Sequence, residues 1–392
     1  MIPLKIIIQN YGYFTNYHNL HNMITIILIL FLLYFIFIIF LLEGWRIATR
    51  STATITATPF ISIVIAVRNE ADQIQNLLDD IARQDYPSDK FEVWVVNDHS
   101  EDETFEVVEE WAKQYPARQF QVINLPSGKA GKKAGITDGV NRARGEIILT
   151  TDGDCRVNPN WLASVASQFT QSTQLLVGAV RLYPVTSFFQ KLQTIEFASL
   201  IGSGAATLGW GTPTMCNGAN LAYRKSAFFE VDGYSGNEQI SSGDDEFLLR
   251  KISRRYPAGI RFNASPSGVV DASPSATCSE FFNQRIRWAG KWRAHGVGFS
   301  ALLALFIFLF HVSVVLLVVL GFVGTLFWQD VILLLVAKAF VEAVFLFRVL
   351  NYLGISFSIV SFFALQVVYP LYVIFFALTA NFLRADWKGR RI

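Results

Sequence analysis

The chain has 392 residues, 52 % hydrophobic and only 16 % charged, with 34 phenylalanines and a formal net charge of +2. That balance excludes an ordinary soluble protein and a broad polyelectrolyte-binding face, so nucleic acid is not an expected partner. The three cysteines, Cys155, Cys216 and Cys278, form no zinc or disulfide pattern and suit a free-thiol, cytoplasmic setting.

Apolar residues crowd into the first tenth and the last quarter of the chain. Residues 1–22 read as a dispensable extension, with Met23 an alternative start. Met23–Leu42 carries no charge, and twenty helical residues rise about 30 Å, enough to cross a bilayer. A cleaved signal peptide would have a shorter apolar run and a stronger cationic lead than Lys5 alone. Arg46 and Arg50 follow the span and place its end, and the domain after it, in the cytoplasm, as in a bacterial inner or plasma membrane.

From 59 to 280 the texture changes to short strands alternating with helices. Strands are expected at 60–67, 91–96, 121–125 and 146–151, and helices at 71–84, 104–114 and 136–143. This alternation predicts an α/β domain with a mostly parallel sheet covered on both faces. In such sheets ligands bind at the carboxyl ends of the strands, where this chain concentrates polar residues. An interfacial helix is expected over 281–298, followed by transmembrane segments at 300–325, 331–350 and 355–382 and a basic tail at 383–392. The middle segment holds Lys338 and Glu342, four apart on one helix face. A lone charge at mid-bilayer costs about 2.5–3.5 kcal/mol, so this pair should face protein. Three crossings would put Arg384, Lys388, Arg390 and Arg391 outside, against the charge rule. Either one segment fails to cross, the charged middle one being the first candidate, or the tail breaks the rule.

Asp152-Gly153-Asp154 closes the fourth strand; two carboxylates around a glycine can hold a hard divalent cation, although Asp-Gly turns are common. Asp98 ends the second strand and can accept hydrogen bonds from a base or ribose, or cap the next helix. The loop from Gly128 through Lys129, Gly131 and Lys132 to Lys133 can hold phosphates or be a solvated turn. Ser242-Gly243-Asp244-Asp245-Glu246 suits either a helix start or a general base. In Gln284-Arg285-Ile286-Arg287-Trp288 and on to Lys291, Trp292 and Arg293, a basic face for phosphates lies beside an aromatic face for sugar or lipid headgroups.

In this order the pieces resemble the family 2 glycosyltransferases, particularly membrane relatives of cellulose and hyaluronan synthases, over 59–296 and into the flanking segments. The resemblance implies a GT-A (Rossmann-like) fold flanked by membrane helices, inversion at the anomeric carbon, a UDP-sugar donor and Mg²⁺ or Mn²⁺. By matching position it implies donor contacts at Glu70, Asp98, Lys132, Asp152 and Arg287, and metal ligands at Asp152 and Asp154. It implies a catalytic base at Asp245 beside Asp244, and acceptor contacts at Gly218, Asn220, Gln284 and Trp288. Asn97 and Thr137 depart from the family's usual aspartate and asparagine. The expected partners are a nucleotide sugar, a lipid, lipid-linked or glycan acceptor, the bilayer, and a second copy or export partner. Two alternatives stand beside single transfer: a processive polysaccharide synthase and a catalytically silent membrane scaffold.

Overall fold

The computed structural model describes residues 4–50, 58–115, 119–236, 243–290, 298–379, 386–387 and 390–391. Ser242, Lys291, Trp292, Arg293, Arg384 and Lys388 lie outside the described residues.

Helix α1 runs from Leu4 to Ala48, and its apolar part, Leu20–Ala48, is long enough to cross a bilayer. Residues 4–22 belong to this same helix. The α/β domain then alternates β1 (Ile61–Val67), α2 (Ile74–Ala82), β2 (Phe91–Asn97), α3 (Thr104–Gln114), β3 (Phe120–Asn124), α4 (Lys132–Arg142) and β4 (Ile147–Thr150). Helix α4 starts four residues before the apolar periodicity does, because Gly131, at φ +92°, ends the loop and Lys132 opens the helix. There follow β5 (Arg156–Val157), α5 (Trp161–Gln168), β6 (Leu175–Val177), β7 (Val180–Leu182) and α6 (Phe188–Gly209). The domain closes with β8 (Leu221–Arg224), α7 (Lys225–Glu230), α8 (Asp244–Arg255), β9 (Ile260–Phe262), β10 (Val270–Ala272) and α9 (Cys278–Gly290).

The main sheet has the order β3-β2-β1-β4-β8-β6-β9. Strands β3, β2, β1 and β4 are parallel, while β8 runs antiparallel between β4 and β6. Alternate residues of β1 serve two cores, as a two-residue period requires. Ile61, Ile63 and Ile65 pack in the core that includes α2, α3 and α5, whereas Val64 belongs to the core shared with α4, α6 and the membrane helices. Helix α4 lies close on β1 because residue 139 is glycine; a Cβ there would sit 2.4 Å from a Val64 methyl. That packing brings Lys132 over the carboxyl ends of the strands.

Three helices complete the chain: α10 (Phe299–Phe322), α11 (Trp328–Tyr352) and α12 (Ile359–Thr379). By length and apolarity, Leu20–Ala48, α10 and α12 qualify as membrane spans. Helix α11 is as long but carries Asp330, Lys338, Glu342 and Arg348. Its central pair does face protein. Lys338 is 2 % exposed and bonds Glu342 and Gln366 at 3.0 and 2.8 Å, and Tyr34 of α1 donates to Glu342. Arg181 bonds the carbonyl of Leu353, the C-cap of α11, so the turn leading into α12 lies at the α/β domain, and Tyr372 and Phe376 near the end of α12 pack on α9. The backbone of 386–387 also lies beside α9.

Helix α6 ties the domain to α1. Their backbones cross so closely that a Cβ on Gly209 would lie 2.1 Å from the Gly44 carbonyl oxygen. Removing one member of a buried ion pair costs about 3–5 kcal/mol, whereas apolar replacement of both is often neutral. Lys338→Met should therefore lower the melting temperature of the purified protein, and adding Glu342→Leu should recover most of the loss. Equal melting of the single variant and the parent would contradict the pairing.

Candidate active site

A single cleft of about 470 Å³ gathers residues from far apart in the chain. The end of β1 brings Arg68 and Glu70, the end of β2 brings Asp98, and the end of β4 brings Asp152, Gly153 and Asp154. The start of α4 brings Lys132, the segment before β8 brings Asn217 and Gly218, and the start of α8 brings Asp244, Asp245 and Glu246. Helix α9 adds Gln284, Arg285, Arg287 and Trp288.

Lys132 joins two of these groups. Its ammonium bonds Asp152 and lies 3.5 Å from Asp244 Oδ2. Burial acts first and lowers its pKa, but Asp152, Asp244 and Asp245 outweigh that and hold it well above the ordinary lysine value. The stabilisation is thus complete below the ordinary lysine value and disappears only as pH climbs past the raised one. Arg287 faces Asp152, Asp244, Asp245 and Asp154; burial, the largest influence, leaves its pKa below the usual arginine value despite them. Behind the triplet, burial first and then Asp154 and Asp152 push the Cys155 thiol up, so it stays protonated and inert.

Asp245 is held by backbone. Its Oδ2 accepts from Gly218 N–H at 3.1 Å and its Oδ1 from Glu246 N–H at 2.8 Å. The close approach needs glycine at 218, where a Cβ would lie 2.9 Å from Asp244 Oδ2 and 3.2 Å from Lys132 Nζ. Helix α8 is entered through Gly243 in the left-handed region, with no side-chain cap, so Asp244 does not serve as the cap. Asp98 does not cap α3 either; its Oδ2 accepts from Gly131 N–H at 2.9 Å, tying the phosphate-type loop to the end of β2.

All but one of the expected site residues line the cleft: Glu70, Asp98, Lys132, Asp152, Asp154, Gly218, Asp245, Gln284, Arg287 and Trp288. Asn220 does not. It is 1 % exposed, donates to the Ala179 and Gly268 carbonyls at 2.8 Å each, and accepts from Trp161 Nε1. Its amide shapes the segment that presents Gly218 and is turned away from the cleft. Asn97 bonds Asn124 and Ser100, and the Thr137 hydroxyl bonds back to the Lys133 carbonyl. Sequence reasoning passed over Glu196, Arg285 and Tyr372. Glu196 had a signal, being the sole carboxylate of the apolar helix α6.

Among the cleft residues eight carboxylates face four cations. Such an excess repels a diphosphate unless a further cation is present. Among the described residues no three His, Cys, Asp or Glu side chains form a metal site on their own. Asp152 and Asp154 instead fit the kind of Mg²⁺ or Mn²⁺ site in which one or two carboxylates are completed by phosphate oxygens.

The sequence pattern described as glycosyl transferase family 2 matches residues 62–231, and that of glycosyl transferase family group 2 matches 147–380, more than half of the chain. The chain belongs to the family 2 glycosyltransferases. It is 26 % identical over 240 residues to beta-monoglucosyldiacylglycerol synthase of Synechocystis sp., covering 60 % of this chain and 48 % of that protein. It is 26 % identical over 233 residues to poly-beta-1,6-N-acetyl-D-glucosamine synthase of Staphylococcus epidermidis, covering 58 % and 53 %. The chain spans about half the length of the curated relatives it matches. Among solved structures, the mannosyltransferase PcManGT from Pyrobaculum calidifontis, in complex with GDP-Man and Mn²⁺, superposes with a TM-score of 0.56 at 18 % identity. The match covers 93 % of this chain and 98 % of that one, and it shows a shared fold.

Lys132→Met leaves Asp152 and Asp244 facing each other without their shared cation. The variant should melt below the parent at neutral pH, and Mn²⁺ should restore part of the difference. An unchanged melting curve would count against the bridge.

Proposed function

We propose that the protein transfers a sugar from a nucleotide diphosphate donor, a UDP-sugar, to a hydroxyl of a lipid or lipid-linked acceptor, with inversion. One observation carries this reading. The cleft that holds the carboxylates and cations is also walled by Leu200, Ile201, Gly204 and Ala205 of α6 and Phe376 of α12. Its charged part suits a nucleoside diphosphate, and its apolar part, built on helices packed against the membrane bundle, suits an acyl-bearing acceptor.

In the proposed displacement Asp245 takes the acceptor proton while the hydroxyl oxygen forms its bond to the anomeric carbon. The bond from that carbon to the phosphate oxygen breaks, and the diphosphate leaves toward Lys132 and Arg287. Glu70 and Asp98 hold the nucleoside, and Gln284, Trp288 and the Gly218 segment guide the acceptor. Mg²⁺ or Mn²⁺ held by Asp152 and Asp154 supplies charge neutralisation for the diphosphate when bound. The complex of PcManGT with GDP-Man and Mn²⁺ is in keeping with this chemistry.

A positioned base contributes about 10²–10⁴ in rate. Asp245→Asn should therefore slow transfer about 10²–10⁴-fold, read as UDP release with the sugar recovered on lipid, while UDP binding persists. EDTA should stop the parent enzyme, and Mg²⁺ or Mn²⁺ should restart it. Near-normal turnover in Asp245→Asn would move the base elsewhere.

The complete motif from Gln284 to Trp288 and the likeness to a poly-N-acetylglucosamine synthase favour a second reading, a processive synthase. Product length decides: one sugar per acceptor supports transfer to lipid, and long chains support synthesis.

For location, we place the domain in the cytoplasm, with α1 and the α10–α11 hairpin crossing; α12, although long and apolar enough to span, starts and ends on the domain's side, since the turn before it bonds Arg181 and Tyr372 and Phe376 near its end pack on α9. The basic tail then stays with the domain, in accord with the positive-inside rule. A cysteine introduced at position 390 should react with an impermeant thiol reagent only in inverted vesicles; labelling in right-side-out vesicles alone would reverse the assignment.

A further inference from the structure

Arg285 lines the cleft, but its guanidinium is engaged by a different carboxylate from those that face Arg287. Its guanidinium pairs with Glu196 of α6, and its Nε donates to Tyr372 Oη of α12 at 3.1 Å. Tyr372 in turn donates to Glu196 Oε1 at 3.0 Å, closing a triangle between three helices. On its own helix the same guanidinium donates to Gln284 Oε1 at 2.5 Å and lies 4.4 Å and 4.3 Å from the ring centres of Phe281 and Trp288. Arg285 and Glu196 are 4 % and 5 % exposed.

We propose that Arg285 is a positioning residue that sets the rotation of α9, and with it the placing of Gln284, Arg287 and Trp288 in the cleft. Well-packed apolar residues stabilise a buried site at least as well as an ion pair, so stability alone gives no reason for one here. What the guanidinium adds is direction: a planar fork whose contacts reach two neighbouring helices and two motif side chains at once. On a helix of 3.6 residues per turn, Arg287 projects about 200° around from Arg285. Turning α9 about its axis therefore moves Arg287 relative to the diphosphate place and Trp288 relative to the acceptor path together. Since one contact comes from α12, the site is completed by a helix that follows the catalytic domain in the chain.

The role rests on the transfer reading above, and the test keeps the two apart. The full-length chain would be purified in phosphatidylglycerol nanodiscs containing diacylglycerol and assayed for UDP release from a panel of UDP-sugars with Mn²⁺. No release by the parent from any donor would sink the transfer reading. With an active parent, Arg285→Lys keeps the charge and loses the fork. A displacement of about 1 Å at a reacting group costs about 10²-fold. For Arg285→Lys, kcat should thus fall about 10–100-fold, while the donor KM stays within about threefold and the melting curve stays close to the parent's. Tyr372→Phe, which leaves the ion pair intact, should show the same split at smaller size. A parent-like kcat in Arg285→Lys, or a fall in kcat that merely follows a loss of folded protein in both variants, would overturn the proposal.

Discussion

The ammonium of Lys132, lying between Asp152 and Asp244, connects the first half of the sheet to the segment that carries Asp245. Those three residues come from the start of α4, the end of β4 and the start of α8, so no local stretch of sequence can bring them together. Their meeting depends on the parallel order of β2, β1 and β4, on α4 lying flat on β1, and on β8 running back beside β4. The cation is already in place among the carboxylates, which lets several acidic groups share a cleft without forcing it apart.

The second dependence is mechanical. Helix α6 touches α1, α11 and α12 while contributing to the cleft wall, and α9 rests on α6 and α12 through Arg285. The sheet and the membrane bundle are therefore not two bodies joined by linkers. The core containing Val64 and Ile148 is the same core that contains Phe31 and Tyr34 of the membrane helix. An apolar surface that continues without a break from sheet to bundle leaves little room for the domain to swing.

Much of this was legible beforehand. The strand and helix alternation through residue 151 was readable because parallel strands covered on both faces are apolar runs, and polar clusters mark their ends. The Lys338–Glu342 pair was readable because charges inside a bilayer need each other. The region from 155 to 217 was not, since β5, β6 and β7 are two or three residues long and α6 is apolar nearly all round. Asn220 shows the limit at the level of single side chains. Its position beside Gly218 suggested contact with a ligand, but burial turns its amide inward to two carbonyls and a tryptophan. Arg285 shows the reverse case, because its partners Glu196 and Tyr372 lie 89 and 87 residues away, and only the fold reveals that they meet.

The contact of bare backbones at Gly44 and Gly209 has a geometric consequence. At this crossing the two helices meet backbone to backbone, with the Trp210 ring closing over Gly44, so no compressible layer lies between them and the height of α6, with the cleft wall it carries, is fixed against α1 like a shelf. Under the proposed transfer to a lipid, reach, counted in bonds from the acyl region to the reacting oxygen, is then a selection rule that operates before any side chain recognises the headgroup.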